Sequence, residues 1–310
     1  MKLISGTAHP ELAQEIAASI DTPLVDVNVS AFPDGETYVK INENVRGEDV
    51  FIIQPTCPPT NHNLMELLIL VDAVRRASAG RITAVLPFFG YARQDRKDQP
   101  RVPITAKLVA NLISAAGVDR VLTMDLHAAQ IQGFFDIPVD HLYAKPVLLR
   151  HIKSLRSGAN SENLTVVSPD VGGVKIAKGY SIAMGADLAI VAKQRVSATD
   201  VEVMSLIGDV EGKDALIVDD MTETAGTLCA AAKVIKENGA QRIFAAVSHA
   251  VLGDLGRERI KESEIDEIIT TNSTPLATGE KVTAVAVGEL LGEAINRIHD
   301  GKSVSSLFDI

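Results

Sequence analysis

The chain has 310 residues, of which 46% are hydrophobic and 23% are charged. This is the composition of a globular protein long enough for two domains, and it excludes a disordered chain. Its formal net charge of −10 disfavours bulk binding to nucleic acid, because an acidic protein gains nothing from counterion release. The sequence has two cysteines, no apolar run long enough to cross a bilayer and no signal-peptide pattern at its start, so we expect a soluble cytoplasmic protein.

Short apolar runs rich in β-branched residues alternate with amphipathic helical patterns along the chain. The predicted strands are, in order, Lys2–Ser5, Val50–Gln54, Ile82–Leu86, Val121–Asp125, Leu164–Ser168, Leu188–Ala192, Ala215–Asp219, Arg242–Val247 and Glu267–Thr271. Predicted helices begin at His9-Pro10, near Asn63, after Pro103 and at Thr227, and the last three end near Gly80, Gly117 and Gly239. Most of the strands are continuous apolar runs, which is typical of parallel strands buried on both faces. The alternation therefore predicts a doubly wound α/β fold.

The two halves of the sequence resemble each other weakly. Each half has a strand that ends in Pro-x-x-Gly, at Pro87–Gly90 and at Pro169–Gly172, and a later strand that runs into acidic residues, at Asp125 and at Asp219. We predict a duplicated unit with a first domain over 1–144 and a second over 145–310. The last residues of the chain are expected to pack back on the first domain.

The strongest motif runs from Ala215 to Thr227, where an apolar strand delivers two adjacent carboxylates and a small-residue loop then opens a helix. The backbone N–H groups and hydroxyls of such a loop can bind a phosphate group together with the helix N-terminus. Paired carboxylates can accept hydrogen bonds from sugar hydroxyls. The alternative interpretation is a capped helix start with solvated acids. The candidate residues are Asp219, Asp220, Glu223, Thr224, Ala225, Gly226 and Thr227.

Two further features allow both a functional and a structural interpretation. The segment Pro87–Lys97 is a cationic loop after a predicted strand, and its Arg and Lys side chains could neutralise a triphosphate or lie solvated at the surface. His127 lies just past the strand that ends at Asp125. A lone histidine at such a place is more often structural than a metal ligand, so the residue alone does not decide its role.

Several of these segments resemble known families. Asp219–Thr227 is similar to the ribose-phosphate loop shared by phosphoribosyltransferases and ribose-phosphate pyrophosphokinases, and Gly90-Tyr-Ala-Arg-Gln-Asp95 resembles a motif of the pyrophosphokinases. Phe32-Pro-Asp-Gly-Glu36 resembles their adenine-binding loop, and Gln130–Asp140 matches the family almost residue for residue. Because the similarity extends from Lys2 to Phe308, the chain resembles the ribose-phosphate pyrophosphokinase family as a whole. This implies two similar domains of phosphoribosyltransferase type.

The resemblance also implies the chemistry: transfer of the pyrophosphoryl group of ATP to the C1 hydroxyl of ribose 5-phosphate, with Mg²⁺ as cofactor. It assigns the Asp219–Thr227 loop to ribose 5-phosphate. It assigns ATP to Phe32, Asp34, Glu36, Arg93, Gln94 and Asp95. It assigns Mg²⁺ to His127 and Asp170, a sparse ligand set that suits an ion that keeps several waters. Lys193 and Arg195 match the catalytic residues of a family loop that closes over the triphosphate.

The chain departs from the family pattern at several positions. Glu223 stands where an Asp is usual, Pro33 where Ser is common, and Gln194 where Arg or Glu is common. Many relatives are activated by phosphate and inhibited by ADP at a subunit interface. The positions that match this allosteric site are Arg46, Ser78, Arg101, Ser303, Ser305 and Phe308, whereas Asn44, Pro100 and Ala129 replace common Ser residues. We therefore predict a weakened or altered dependence on phosphate.

Relatives also assemble as hexamers, with residues matching Asp34, Glu36 and Asp140 acting across interfaces, so the resemblance implies a homohexamer. Neither nucleic acid nor a membrane is expected as a partner. Two alternatives differ in function. A phosphoribosyltransferase would share the Asp219–Thr227 loop but not the Arg93–Asp95 motif. A non-catalytic regulatory homologue would be consistent with Glu223 and Gln194, but it would not need the other matching residues.

Overall fold

The computed structural model describes residues 1–155, 163–194, 203–275 and 279–307. The predicted α/β class with mainly parallel sheets is confirmed. The chain forms two compact units. The first comprises Met1–Tyr143, Ser273–Pro275 and the described residues from Ala286 onward, and the second comprises Ala144–Asn272 together with the described residues 279–285. The division into domains at residues 144 and 145 stays a prediction.

The first unit is built on a five-stranded parallel sheet. Its strands are β1 (Lys2–Ser5), β4 (Asp49–Ile53), β5 (Arg81–Leu86), β6 (Arg120–Met124) and β7 (Val139–Leu142), in the order β1-β4-β5-β6-β7. A separate antiparallel hairpin consists of β2 (Val27–Ala31) and β3 (Thr37–Ile41). The helices are α1 (Pro10–Ser19), α2 (Thr60–Arg76), α3 (Thr105–Ala116) and α8 (Gly288–His299), with a 3₁₀ turn at Ala129–Phe134.

Local chemistry explains where the helices of this unit begin and end. Pro10 stands in the first turn of α1, and the side chain of His9 caps it by accepting from the Leu12 N–H. Gly117 ends α3 in the left-handed conformation, at φ 111°. The apolar face of α2 is buried, with its residues Leu64, Leu67, Leu70, Val71 and Val74 in the core.

The C-terminal helix of the first unit is held by both packing and charge. A Cβ at Gly288 of α8 would lie 2.7 Å from the Cβ of Glu15 on α1, so the helices approach as closely as only glycine allows. At the other end of α8, the His299 Nδ1 lies 2.8 Å from the Asp49 Oδ2. Arg81 donates to both oxygens of Asp49 as well. These bonds tie α8 to the start of β4 and β5.

The second unit contains a seven-stranded sheet. Its strands are β8 (Leu164–Ser168), β9 (Asp187–Gln194), β10 (Val203–Ile207), β11 (Asp214–Thr222), β12 (Ile243–Ala250), β13 (Glu267–Thr271) and β14 (Val282–Val285), in the order β10-β9-β8-β11-β12-β13-β14. All neighbours are parallel except β9 and β10. The helices are α4 (Lys145–Leu155), α5 (Val174–Met184), α6 (Gly226–Glu237) and α7 (Asp254–Glu262).

In each unit, the strand that leads into the Pro-x-x-Gly motif is the neighbour of the strand that leads into the acidic residue. β5, which leads into Pro87–Gly90, lies beside β6, which leads into Asp125. β8, which leads into Pro169–Gly172, lies beside β11, which carries Asp219. Since parallel strands end at the same edge of a sheet, each unit presents a turn and an acid side by side. No helix among the described residues is long and apolar enough to span a membrane.

Candidate active site

Paired carboxylates lie near the end of the central strand of the second unit. The predicted strand ends at Asp219, but β11 continues because Met221 and Thr222 still pair with β12. Both Asp219 and Asp220 are half-buried, and the Asp220 N–H donates to the Asp219 Oδ1 at 2.9 Å. Burial raises the pKa of Asp219 to about 8, and repulsion by the carboxylates of Asp220 and Asp170 adds to the rise. A ligand that donates hydrogen bonds or carries positive charge at this edge would therefore stabilise the ionised form of Asp219.

The loop after β11 opens α6 as the sequence predicts. Glu223 and Thr224 are exposed, and Ala225 adopts the left-handed conformation at φ 55° and ψ 10°. No side chain caps α6, and the first N–H groups of a helix have no intrahelical acceptor. The exposed hydroxyl of Thr227 lies in the same turn. This helix start therefore offers N–H and O–H donors to an anion.

Helix α7 supports this loop through residues that the sequence did not reveal. The Arg259 Nη1 donates to the Thr224 carbonyl at 3.1 Å. A Cβ at Gly256 would lie 2.4 Å from the Glu223 carbonyl oxygen, so α7 packs directly on the loop backbone. The left-handed Ala225 follows Thr224, and a non-glycine residue in that conformation persists where its surroundings hold it. No signal in the sequence links α7 to the loop, because the contact is made only by folding.

Asp170 occupies the turn after β8, the neighbour of β11. The Asp170 Oδ1 accepts from the Gly173 N–H at 2.9 Å, and the Ser168 hydroxyl donates to the Asp170 carbonyl at 2.6 Å. The side chain is exposed. These bonds fix the turn, and the strand order brings Asp170 close enough to Asp219 to raise its pKa.

The carboxylate oxygens at this edge of the sheet are of the kind that binds Mg²⁺, but they are too few to complete its coordination without other ligands. Asp170 and Asp220 repel the carboxylate of Asp219, and a divalent cation would relieve that repulsion. Within the described ranges, however, no group of three or more His, Cys, Asp or Glu side chains converges on one point. Mg²⁺ keeps several waters and shares phosphate oxygens, so the donors fit this ion. His127 is exposed in the first unit, just after β6.

The cationic loop of the first unit is held by hydrogen bonds at two of its three candidate residues, Gln94 and Asp95. The Gln94 carbonyl accepts from the Ala106 N–H at 3.1 Å, at the start of α3, and its side-chain oxygen accepts from the Thr105 hydroxyl. The Asp95 Oδ2 accepts from the Gln130 amide at 2.9 Å. The side chain of Arg93, which precedes Gln94 and Asp95, is exposed. Hydrogen bonds to α3 and to Gln130 thus hold the loop in place just after Arg93.

The hairpin turn carries the other candidate ATP residues. The Phe32 N–H donates to the Glu36 carbonyl at 2.8 Å, and the Asp34 carboxylate accepts from the Glu36 N–H at 3.2 Å. The Phe32 ring is 49% exposed and meets the Tyr38 ring edge-on, with centroids 5.5 Å apart. The structure therefore groups Phe32, Asp34 and Glu36 on one turn and Arg93, Gln94 and Asp95 on another loop. An exposed aromatic face of this kind is suited to stacking on a base.

The catalytic candidates and the candidates of the phosphate site belong to several separate segments of the chain. Lys193 lies on β9 and pairs through its backbone with Met204, while Arg195 and Phe308 lie outside the described residues. The Arg46 and Ser78 turns are adjacent, because the Gly47 N–H donates to the Ser78 carbonyl at 2.8 Å.

The other residues of the predicted phosphate site belong to separate turns of the first unit. Asn44, one of the departures from the family, accepts from the Arg46 N–H at 3.0 Å. The Ser303 hydroxyl accepts from the Ser305 N–H at 3.2 Å. Arg101 is exposed at φ 68°. The side-chain oxygen of Asn44 thus accepts a hydrogen bond within its own turn, and the hydroxyl of a Ser at that position could accept the same bond.

Fold and site together define the class: a two-unit α/β protein with a sugar-phosphate type of loop at the carboxyl edge of a parallel sheet. The family described as the N-terminal domain of ribose phosphate pyrophosphokinase matches residues 1–117. The phosphoribosyl synthetase-associated domain matches residues 179–309. The chain belongs to the ribose-phosphate pyrophosphokinase family and is an enzyme, as its sequence motifs predict.

Similarity to individual relatives extends over the whole chain. The ribose-phosphate pyrophosphokinase of Chlorobaculum tepidum is 55% identical over 311 residues, covering 100% of this chain and 95% of that protein. That of Vibrio cholerae is 56% identical over 316 residues, covering 100% and 99%. The crystal structure of phosphoribosylpyrophosphate synthetase from Mycobacterium smegmatis superposes with a TM-score of 0.91 at 39% identity, covering 97% of this chain and 99% of that one.

Proposed function

We propose that this enzyme transfers the pyrophosphoryl group of ATP to the C1 hydroxyl of ribose 5-phosphate, giving 5-phosphoribosyl 1-pyrophosphate and AMP. The observation that carries the proposal is the β11–α6 segment. It joins two carboxylates, which can accept from sugar hydroxyls, to an uncapped helix start, which can bind the 5-phosphate. A single ligand with hydroxyls at one end and a phosphate at the other matches this arrangement.

The loop residues divide the ribose 5-phosphate between them. Asp219 and Asp220 accept hydrogen bonds from the ribose hydroxyls. The backbone of Ala225 and Gly226 and the hydroxyls of Thr224 and Thr227 hold the phosphate, which is dianionic near neutral pH. Glu223 replaces the usual Asp, and its side chain is longer by one methylene. Its carboxylate would therefore lie at a different distance from the sugar than the Asp carboxylate of relatives does.

The transfer itself requires alignment and charge stabilisation more than covalent chemistry by the protein. The C1 hydroxyl oxygen attacks the β-phosphorus of ATP, the bond from that phosphorus to the α,β-bridging oxygen breaks, and AMP leaves with that oxygen. The hydroxyl proton is lost to solvent or to a neighbouring carboxylate. Lys193 and Arg195 would stabilise the charge that develops on the transferred group. Asp170 and His127 are the residues that would hold Mg²⁺, an ion that would supply positive charge to the phosphate oxygens.

ATP is proposed to bind to the candidates of the first unit. Phe32 stacks on the adenine ring, Asp34 and Glu36 accept from the base or its ribose, and Arg93 binds a phosphate. Gln94 and Asp95 complete this loop. We further propose that the enzyme works in the cytoplasm as a homohexamer, and that its response to phosphate is weaker than is usual in the family because Asn44 and Pro100 replace serines.

The test is AMP release by the purified chain with Mg-ATP, with and without ribose 5-phosphate, at low and high phosphate. AMP that depends strictly on the sugar phosphate is the expected result. A folded protein that releases no AMP under any of these conditions is instead a non-catalytic homologue. Consumption of phosphoribosyl pyrophosphate with a nucleobase, without AMP release from ATP, would identify a phosphoribosyltransferase. Unchanged rates between low and high phosphate would support the regulatory proposal.

A further inference from the structure

Thr56 joins two loops of the first unit at the carboxyl edge of its sheet. It follows β4 and is 1% exposed. Its N–H donates to the Phe88 carbonyl at 2.9 Å, and its hydroxyl oxygen accepts from the Gly90 N–H at 2.7 Å. The hydroxyl hydrogen has the Phe88 carbonyl as acceptor, at 3.3 Å. One buried side chain thus binds the start of the loop that follows β5 by both its donor and its acceptor.

The two loops are in direct contact at this point. A Cβ on Gly90 would lie 2.4 Å from the Thr56 carbonyl oxygen and 2.7 Å from the Thr60 Cγ2, which no side chain could tolerate without displacing the backbone. The next residue, Tyr91, is in the left-handed region at φ 64°, which is uncommon for a residue other than glycine. Its hydroxyl donates to the Asn61 Oδ1. The loop after β4 and the first turn of α2 therefore fix both Gly90 and Tyr91.

This fixed turn leads directly into the candidate ATP loop. The Gln94 N–H donates to the Tyr91 carbonyl at 3.0 Å, so the turn that bears Arg93 is closed upon Tyr91. The far side of the loop is held by α3 and by Gln130, but its near side depends on Thr56 and Asn61. A displaced Gly90 would rotate Tyr91 and carry Arg93 with it.

We infer that Thr56 is a positioning residue for ATP: its buried hydroxyl sets the path of Gly90–Tyr91 and thereby presents Arg93, Gln94 and Asp95 to the nucleotide. The inference rests on the proposed function, since it takes this loop as the ATP loop. The role inferred for Thr56 is to position the loop and not to contact ATP, and Thr56 lies outside the segments named above for their resemblance to the family. Its role follows from the hydrogen bonds between the loops.

The informative variants are Thr56→Val and Thr56→Ser. Valine has the shape of threonine but offers the Gly90 N–H a methyl group in place of an acceptor, and a methyl carbon cannot lie 2.7 Å from that nitrogen. Serine keeps the hydroxyl. Thr165→Val is the matched control, because Thr165 is also fully buried and donates to the Asp209 carbonyl at 2.9 Å, but it lies on β8 of the second unit.

Binding is measured by calorimetry with Mg²⁺ and α,β-methylene ATP, whose α–β bridge cannot be cleaved, and the KM of each substrate is measured by AMP release. For Thr56→Val we expect the dissociation constant of the analogue and the KM for ATP to rise about tenfold, the scale of one buried donor left unsatisfied. The KM for ribose 5-phosphate stays within about twofold, and Thr56→Ser and Thr165→Val bind the analogue like the wild type.

The inference is overturned if Thr56→Val binds the analogue as tightly as the wild type, or if both KM values change together. If Thr56→Val does not fold, Thr56→Ala removes the hydroxyl without crowding and is judged by the same criteria. Failure of the proposed function is recognised separately, because a wild-type protein that releases no AMP refutes that function whatever the Thr56 variants bind.

Discussion

Replacing Asp219 by Asn should stabilise the ligand-free enzyme while weakening its binding of ribose 5-phosphate. In the folded chain, burial and the carboxylates of Asp220 and Asp170 raise the pKa of Asp219 from its ordinary 3.8 to about 8. A raised folded-state pKa means that the native state holds the proton more tightly than the unfolded chain does. The contribution of Asp219 to the stability of the fold is therefore fully present below pH 3.8, where the group is protonated in both states. This contribution is lost as the pH rises to about 8, because ionisation is costly in the folded state.

The expected size follows from the same site. A pKa displacement of one unit corresponds to about 1.4 kcal/mol. Asp219 is only half-buried and solvent screens its repulsion from Asp220, so we expect about 1–2 kcal/mol of added stability in Asp219→Asn near pH 8. For a chain of this size such a gain raises Tm by a few degrees.

The assay is thermal unfolding of both proteins between pH 5 and pH 9 without substrate or Mg²⁺, together with the KM for ribose 5-phosphate. The Tm difference in favour of Asp219→Asn should widen as the pH rises, and the KM of the variant should increase. Asp300→Asn is a suitable control, since Asp300 is exposed and a hydrogen bond from Lys302 lowers its pKa. A Tm gap that is absent, or that does not depend on pH, would refute the electrostatic account of this site.

Three other outcomes follow from named contacts. Arg259→Met removes the donor to the Thr224 carbonyl and should raise the KM for ribose 5-phosphate about threefold to tenfold, with little change in the KM for ATP; equal effects on both would contradict a local role. Lys193→Ala should lower kcat by about 10²–10³ in steady-state assays with little loss of sugar-phosphate binding, and an unchanged kcat would remove this residue from the mechanism. Although burial opposes it, hydrogen bonding to Arg81 and to the C-terminal helix lowers the pKa of Asp49. Asp49→Asn should therefore cost about 2 kcal/mol in denaturant unfolding at pH 7, a loss that shrinks below the ordinary pKa of 3.8; a constant loss at all pH values would exclude the ionised pair as its source.

The buried parallel strands could be predicted because their sequences are continuous apolar runs. Lys2–Ser5, Leu164–Ser168 and Glu267–Thr271 were predicted with the bounds that the structure shows. The hairpin strands β2 and β3 escaped prediction, since their residues are mostly exposed or half-exposed and carry no apolar run. The edge strands β7 and β14 also escaped prediction, because polar residues interrupt their short apolar runs, Asp140 and His141 in β7 and Thr283 in β14.

The residues of the Asp219–Thr227 loop could be predicted because they are contiguous in the sequence. The residues that hold the candidate loops in place could not, because they lie far away in the chain. Asp170 becomes a neighbour of Asp219 only through the pairing of β8 with β11. Arg259 lies on α7, a short and highly charged helix whose sequence suggests only a solvated surface. Thr56 acts on a loop more than thirty residues away in the chain. Contacts of this kind depend on the fold as a whole, which local patterns do not encode.

The most direct test of the proposed reaction follows the phosphorus atoms of ATP. The enzyme is incubated with ATP labelled at the β-phosphorus, Mg²⁺ and ribose 5-phosphate, and the products are separated. The account predicts that the label appears in the sugar product and that AMP forms unlabelled in equal amount. Label that remains in ADP would mean transfer of the γ-phosphoryl group alone, and would contradict the central claim.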